Sequence, residues 1–144
     1  MPNDTPSSAN ACGGPRPAPH ERTLVAVAVT VDMPAILAYA EITGDFNPLH
    51  VDPAFAATTA MGQPIAHGTL SMNLIWQSLA ATVGNDRAAR SSIDIRFARP
   101  VFAGDRVEAG GHVNDDDPER YTVWVRRQDG TNVIEGSAHI QIGR

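Results

Sequence analysis

The segment from His67 to Val83 limits the possible folds of this chain more than any other part of the sequence. Its apolar residues recur at helical spacing, and a Gly-Asn pair then supplies a helix stop. The apolar stripe consists of Leu70, Leu74, Ile75, Leu79 and Val83, and is widened by Ala80 and Ala81. Because the stripe is broad, we expect other elements to enclose nearly all of this helix.

Four segments after this helix alternate apolar with polar residues, which is the two-residue period of a β-strand. They cover residues 93–97, 106–113, 121–126 and 134–142. The pair Asp129-Gly130, between the last two segments, is typical of a tight hairpin. We therefore predict that these four strands follow one another as an antiparallel meander.

One more strand and two helix starts precede the long helix. Valine occupies every second position of residues 25–31, as in a strand with one apolar face. Asp32 is placed to cap a helix that ends at Gly44, and the pair Asp52-Pro53 begins a short one. This order of elements predicts an α+β fold, in which a single antiparallel sheet curls around one long central helix.

The N-terminal stretch differs in composition from the rest of the chain. Residues 1–21 hold five prolines and a Gly-Gly pair, and they predict a disordered tail. Residues 22–144 then form a single domain of ordinary size. No basic segment followed by an apolar core is present in the tail, so we expect no signal peptide.

The composition excludes several classes of chemistry. All 11 basic residues are arginine, so no lysine is present to form a Schiff base. Cys12 is the only cysteine, which leaves no internal disulfide and no cysteine-rich zinc site. A formal net charge of −5 with scattered arginines argues against nucleic-acid binding. No apolar run approaches the length of a membrane span, and we expect a cytoplasmic protein.

The loop from Gly44 to His50 holds the residues best suited to catalysis. Adding water to an activated double bond requires a base for the water and an acid for the carbon that receives the proton. Asp45 and His50, held around one water, could do both, while Asn47 orients its neighbours and Pro48 stiffens the loop. The same residue types also occur in ordinary turns, so a purely structural turn is the alternative.

Other polar residues have a structural and a functional interpretation. The backbone N–H of Gly68, at the start of the long helix, could polarise a thioester carbonyl. For His67 we favour a helix cap or a packed core residue, and for Asp52 a helix cap. Four arginines are expected on the surface, and any of them could hold a ligand phosphate: Arg87, Arg90, Arg96 and Arg99.

Two separated motifs resemble those of the MaoC-like hot-dog family. The first runs Asp45-Phe46-Asn47-Pro48-Leu49-His50 and is followed by Ile65-Ala66-His67-Gly68, as in the hydratase-2 motif. The second runs from Arg96 to Asp105 and resembles the strand-turn-strand that follows the long helix. The resemblance covers about residues 23–142. It implies a hot-dog fold, an antiparallel sheet wrapped around one central helix.

The resemblance also implies an activity and a site. Its (R)-specific enoyl-CoA hydratases add water reversibly to trans-2-enoyl thioesters and give (R)-3-hydroxyacyl thioesters. Asp45 and His50 would be the catalytic pair, Asn47 a supporting amide and Gly68 the oxyanion donor. No metal and no separate cofactor are implied, because coenzyme A or acyl-carrier phosphopantetheine is part of the substrate. A homodimer or higher homo-oligomer is expected, with neither nucleic acid nor membrane as a partner.

Several alternatives stay open within and beyond this family. The substrate could be a 3-hydroxyacyl group on acyl-carrier protein, as in fatty-acid or polyketide synthesis, or a dicarboxylic, mesaconyl-type acyl-CoA. Leu70, Met72 and Trp76 are candidates for the acyl pocket, and the bulk of Trp76 predicts short or branched acyl groups. A non-catalytic acyl-thioester binder belongs to another class, as does a metal-binding module built on Asp45, His50, Asp52 and His67.

Overall fold

Five strands and five α-helices make up residues 16–142, the part of the chain that this computed structural model describes. The helices are α1 Met33–Thr43, α2 Pro48–Val51, α3 Pro53–Ala57, α4 Gly68–Val83 and α5 Asn85–Ala89. The strands are β1 Val27–Val31, β2 Ser92–Phe97, β3 Asp105–Val113, β4 Arg120–Arg127 and β5 Asn132–His139. The long helix and the later strands therefore lie where their sequence periods predict them.

The five strands form one antiparallel sheet in the order β1-β3-β4-β5-β2. Consecutive pairing holds for β3, β4 and β5, but β2 pairs with the far side of β5 rather than with β3. The four-strand meander is therefore wrong for its first strand. After β2 the chain stays beside β5, since the N–H groups of Ala98 and Arg99 both donate to Val133 O. It then crosses the sheet, and Gly104 N donates to Val31 O at β1.

Helix α4 packs against the inner face of the sheet, as expected. Leu74, Ile75 and Leu79 are buried, together with the inward-facing valines of β3 and β4. Removing this apolar surface from water is the main force that holds sheet and helix together. The predicted α+β fold, a sheet wrapped around one central helix, is confirmed.

The buried face of α4 nevertheless differs from the predicted stripe. Ser71, Ser78 and Thr82 are buried, whereas Leu70 and Val83 are only half-buried. Two of the hydroxyls fasten the start of the sheet to the helix. Ser78 Oγ donates to Val25 O at 2.5 Å, and Val25 N donates to Thr82 Oγ1 at 2.9 Å. On this part of α4, side chains that hydrogen-bond the backbone of Val25 therefore replace apolar ones, because buried backbone N–H and C=O groups need partners.

The end of the predicted N-terminal tail packs against the domain. Residues Pro19–Glu21 form a short 3-10 helix, and Glu21 is buried. Arg87 Nη1 donates to the Glu21 carboxylate at 2.7 Å, and Tyr121 OH donates to the Glu21 backbone carbonyl oxygen at 2.9 Å. Residues Pro19–Glu21 are thus packed on the domain, although the sequence places them in the tail. The remainder of the predicted tail, residues 1–15, lies outside the described residues.

Cap residues set the ends of the helices that flank the site. The Asp32 carboxylate accepts from Ala35 N at 2.9 Å, and Gly44 ends α1 in the left-handed conformation at φ 71°. The Asp52 carboxylate accepts from Ala54 N and Phe55 N and begins α3. These caps are the ones that the sequence predicts. Within residues 16–142, no helix is long and apolar enough to span a bilayer.

Candidate active site

The loop between α1 and α2 is shaped by its own side chains. Asn47 N donates to Asp45 Oδ1 at 3.2 Å, and the Asn47 side-chain oxygen accepts from Leu49 N at 3.0 Å. Asn47 therefore caps α2, whose first residue is Pro48. The Asn47 side-chain oxygen is therefore occupied by this cap.

Asp45 and His50 face each other across this loop. His50 Nδ1 lies 2.7 Å from Ile65 O, and a carbonyl oxygen can only accept, so Nδ1 carries the proton. His50 Nε2 is left with its lone pair, 4.0 Å from Asp45 Oδ2. The Asp45 side chain is 52% exposed and that of His50 only 13%. A carboxylate open to solvent and an imidazole of fixed tautomer thus share one small space.

His67 is a third member of this cluster. Its Nε2 lies 2.9 Å from the Asp45 carbonyl oxygen and 3.9 Å from Asp45 Oδ2. Its ring stacks on the His50 ring, with centroids 4.0 Å apart and an interplanar angle of 28°. The side chain is 3% exposed and makes no cap bond to α4. The packed position expected for His67 is correct, but the residue packs against the candidate catalytic pair.

Gly68 brings a backbone N–H to the same place. It is the first residue of α4, so its N–H has no acceptor within the helix, and no other described residue accepts from it. The Phe97 ring lies directly over this residue, because a Cβ atom added at Gly68 would meet Phe97 Cε1 at 2.8 Å. A free donor at the positive end of a helix is suited to an oxygen that gains negative charge.

A cavity of about 290 Å³ opens beside these groups. His50, His67 and Gly68 line one side of it, and Phe97 and Arg99 also border it. Its lining includes three buried apolar side chains, Val101, Val133 and Ile134. The space can therefore hold a short apolar group next to the polar cluster.

The three acyl-pocket candidates on α4 do not line this cavity. Leu70 borders a separate concavity with Tyr39, and Met72 and Trp76 pack half-buried against the core. At about 100° per residue, position 76 lies about 80° around the helix from position 68. The α4 side chain that does line the cavity is Ser71, one turn after Gly68.

Sequence reasoning missed Phe97 and Ser71 as neighbours of the site, and it did not choose Arg99 among the four arginines that could hold a ligand phosphate. Phe97 and Arg99 come from the end of β2 and the segment after it, far along the chain from the loop. The motif that begins at Arg96-Phe97 indicated this segment, but it did not predict that Phe97 would contact Gly68. Ser71 had a weak signal, since it follows the start of α4 by one turn and lies beside the motif.

The geometry also bears on metal binding. One ligand atom from each of Asp45, His50 and His67 lies within 4.8 Å of the others. Asp52, the fourth residue of the metal hypothesis, is instead occupied with capping α3. His67 Nε2 must carry a proton to donate to the Asp45 carbonyl, and in that state it offers no lone pair to a metal.

The sequence matches a family model described as MaoC like domain over residues 16–133. An (R)-specific enoyl-CoA hydratase of Aeromonas caviae is 36% identical over 115 residues, which are 74% of this chain and 83% of the relative. An enzyme of the same name from Rhodospirillum rubrum is 33% identical over 119 residues, which are 81% of this chain and 83% of the relative.

Solved structures with the same fold include an (R)-hydratase from A. caviae. It superposes with a TM-score of 0.70 at 32% identity, covering 83% of this chain and 93% of that one. An R-hydratase from Pseudomonas aeruginosa superposes with a TM-score of 0.70 at 31% identity, covering 81% of this chain and 77% of that one. The predicted hot-dog fold is thereby confirmed.

Proposed function

Because this chain belongs to the MaoC-like domain family, we propose that it is a hydro-lyase, an (R)-specific enoyl-CoA hydratase. It would add water reversibly to a trans-2-enoyl thioester and release an (R)-3-hydroxyacyl thioester. The observation that carries this proposal is the pairing of Asp45 Oδ2 with His50 Nε2 at 4.0 Å, beside the cavity that also reaches Gly68.

The distance between the pair suits one water molecule. A water about 2.8 Å from each atom would fit between a carboxylate oxygen and an imidazole nitrogen 4.0 Å apart. His50 Nε2 accepts a hydrogen bond because Nδ1 holds its proton against Ile65 O. Both groups can therefore accept from the same water, which fixes its oxygen and aims a lone pair at the substrate.

The reaction then needs two proton movements and one charge stabilisation. The water oxygen forms a bond to C3 of the enoyl group, and its proton passes to one member of the pair. The π electrons move through C2 toward the thioester oxygen, where the Gly68 N–H stabilises the enolate charge. A proton delivered to C2 from the pair completes the addition. No charge remains on the product, and the reverse order of steps gives dehydration.

Loss of either member of the pair should remove most of this activity. We expect Asp45→Asn and His50→Ala each to lower kcat by about 10²- to 10⁴-fold on crotonyl-CoA. The loss of conjugated absorbance measures the rate, and a chiral analysis of the product determines its handedness.

Matched controls separate chemistry from folding. Asp116→Asn and His139→Ala change the same residue types at exposed positions away from the cavity, and they should keep wild-type rates. Full activity in both Asp45→Asn and His50→Ala would disprove the mechanism. An (S) product would disprove the stereochemical assignment.

The acyl group is proposed to be short or branched. Support comes from the cavity volume of about 290 Å³, at the small end of ligand pockets, rather than from Trp76. Ile134→Val removes one methyl group from the lining at a cost of about 0.5–1.5 kcal/mol, and should raise the rate on six-carbon relative to four-carbon enoyl thioesters. Trp76→Leu tests the alternative placement on α4. A shift of the chain-length profile in Trp76→Leu alone would favour that placement.

The carrier and the acyl class require separate substrates. Faster turnover of the crotonyl group on coenzyme A would indicate a hydratase of coenzyme A thioesters. Faster turnover of the crotonyl group on acyl-carrier protein would indicate a dehydratase of fatty-acid or polyketide synthesis. A mesaconyl-type thioester tests the dicarboxylic alternative. Turnover of none of these, with measurable thioester binding, would instead favour a non-catalytic binding module.

A metal-dependent reaction is a second candidate, because Asp45, His50 and His67 bring three ligand atoms within 4.8 Å. We propose that the reaction needs no metal. Activity should survive dialysis against a chelator, and loss of activity that returns with a divalent ion would overturn this.

We also propose that the protein is a cytoplasmic homodimer. β1 and β2 are the two outer strands of the sheet, and apolar Ile42 and Phe46 are exposed beside the loop, at 83% and 56%. A second copy would cover such surface. Light scattering after size-exclusion chromatography should give twice the chain mass, whereas a monomer mass would contradict the proposal.

A further inference from the structure

We propose that His67 is a positioning residue, which holds the Asp45 backbone and the His50 ring in the geometry that the reaction needs. This inference rests on the proposed function. His67 touches both members of the pair but takes no part in the proton transfers described above. Its role would be to keep the distance between Asp45 Oδ2 and His50 Nε2 near 4.0 Å.

The first observation is a hydrogen bond of defined direction. The Asp45 carbonyl oxygen, 2.9 Å from His67 Nε2, can only accept, so Nε2 carries the proton. This bond spans 22 residues of sequence and ties the exposed loop to the start of α4. Apart from it, the Asp45 segment is held by bonds within its own loop, in which Asp45 N donates to Thr43 Oγ1 and Asn47 N donates to Asp45 Oδ1.

The second observation is that one nitrogen of the buried His67 imidazole has no hydrogen-bond partner among the described residues. With the proton on Nε2, Nδ1 is a bare acceptor, and it is buried without a partner among the described residues. Leaving a buried acceptor unpaired costs about 1–3 kcal/mol. An apolar side chain of similar volume would avoid this cost. Packing alone therefore does not explain a histidine here, whereas the donor on Nε2 does.

The third observation is the stack of rings around His67. His50 lies on one side at 4.0 Å, and Tyr39 approaches at 5.0 Å with an interplanar angle of 54°. Tyr39 is itself held, because its OH lies 2.6 Å from Thr69 Oγ1. The His50 ring is thus fixed by Ile65 O at one edge and by His67 across its face.

The fourth observation is the place of His67 in the chain. Its backbone is the N-cap of α4, and the next residue is Gly68, the proposed oxyanion donor. One residue therefore joins three parts of the site: the carboxylate loop, the imidazole and the helix N-terminus. A displacement of about 1 Å in such a site can cost on the order of 10²-fold in rate.

Three substitutions of His67 separate positioning from packing. The Gln side-chain nitrogen reaches about as far as Nε2, whereas the Asn nitrogen reaches only about as far as Nδ1. Leu keeps the volume but removes the donor. We expect His67→Leu and His67→Asn to lower kcat by about 10²-fold with KM changed by less than about 3-fold. His67→Gln should recover most of the lost rate.

Two independent measurements accompany the kinetics. The melting temperature of His67→Leu should stay close to that of the wild type, because removal of the unpaired acceptor offsets the loss of the bond to the Asp45 carbonyl. In ¹⁵N NMR spectra, the wild-type protein should show His67 protonated on Nε2 and His50 on Nδ1. A proton on His67 Nε2 is what the bond to the Asp45 carbonyl requires.

The outcomes distinguish this inference from the proposed function. A wild-type protein without hydratase activity would refute the function, and the tautomers would then decide the role of His67 alone. Equal rates in the Gln and Leu variants, whether high or low, would overturn the positioning role. If His67→Leu does not fold, the comparison of Gln with Asn carries the same test. A wild-type His67 that carries its proton on Nδ1 rather than on Nε2 would also overturn it.

Discussion

At the scale of single residues, the site depends on one close approach. Gly68 lies under the Phe97 ring, and a methyl group there would come within 2.8 Å of Phe97 Cε1. Because Phe97 is 55% exposed, its ring can move aside. The glycine is therefore required for the close approach of the ring to α4 rather than for the backbone conformation of the helix.

This contact gives a prediction for Gly68→Ala. The variant should fold but lose about 10-fold in kcat/KM, since the displaced ring changes the wall of the cavity beside Gly68. Steady-state kinetics on crotonyl-CoA measure the loss. Phe97→Ala should show a loss of similar size, and the double variant should lose no more than either one alone. Fully additive losses would show that the two residues act independently.

At the scale of elements, α4 is joined to the sheet by hydroxyl groups as well as by apolar packing. Ser78→Ala removes the donor to Val25 O, and we expect the free energy of unfolding to fall by about 1–3 kcal/mol. Urea denaturation measures this change. Ser71→Ala is the matched control, because Ser71 Oγ is buried without a partner among the described residues. It should cause little or no loss, and equal losses in both variants would contradict this account.

The segment between β2 and β3 borders both the cavity beside His50 and Gly68 and a neighbouring polar recess. Arg99 lines both, together with Phe97 and Ala98, whereas Thr131 and Asn132 line the recess alone. Arg96 nearby is paired with Glu135, but no carboxylate of residues 16–142 lies within ion-pair distance of Arg99. A free guanidinium at a cavity mouth is suited to an anionic part of the substrate.

Arg99→Ala should therefore weaken the use of substrates that carry phosphate. We expect KM for crotonyl-CoA to rise about 10-fold, and KM for the N-acetylcysteamine thioester, which lacks phosphate, to stay unchanged. Arg90→Ala is the matched control, an exposed arginine that borders neither cavity nor recess. Equal effects on both thioesters would exclude phosphate recognition by Arg99.

At the scale of the whole molecule, exposed ion pairs make stability depend on pH. Hydrogen bonds from Arg96, and then from Asn132, hold the pKa of Glu135 below its ordinary value. A lowered carboxyl pKa contributes stability above the pKa of the unfolded chain. That contribution is lost as the pH falls through the lower pKa of the folded state.

Glu135→Gln should therefore lower the melting temperature near neutral pH and have progressively less effect toward about pH 3. Thermal unfolding of the wild type and of Glu135→Gln across this pH range measures the gap, which is the difference between their melting temperatures. Glu41→Gln, at an exposed position without an ion pair among the described residues, should leave no gap at any pH. A gap for Glu135→Gln that stays constant with pH would contradict the assignment to ionisation.

Local sequence patterns account for the helices, the strands and the turn chemistry of this protein. Helix α4, the alternating strands, the caps at Asp32 and Asp52 and the turn around Asn47 follow from local periods and short-range hydrogen bonds. The pair Asp45 and His50 could be chosen as a candidate site because both residues belong to one loop, five positions apart. Such features depend on residues that are near each other in the chain.

Contacts between residues that are distant in the chain could be read from the folded protein alone. The pairing of β2 with β5, the contact of Phe97 with Gly68 and the bond from His67 to Asp45 join segments that have no local signal for one another. Likewise, no periodicity indicated that Ser78 and Thr82 would be buried to serve the backbone of Val25. Long-range packing selects these contacts by burying the apolar stripe of α4 and by satisfying the polar groups that burial removes from water.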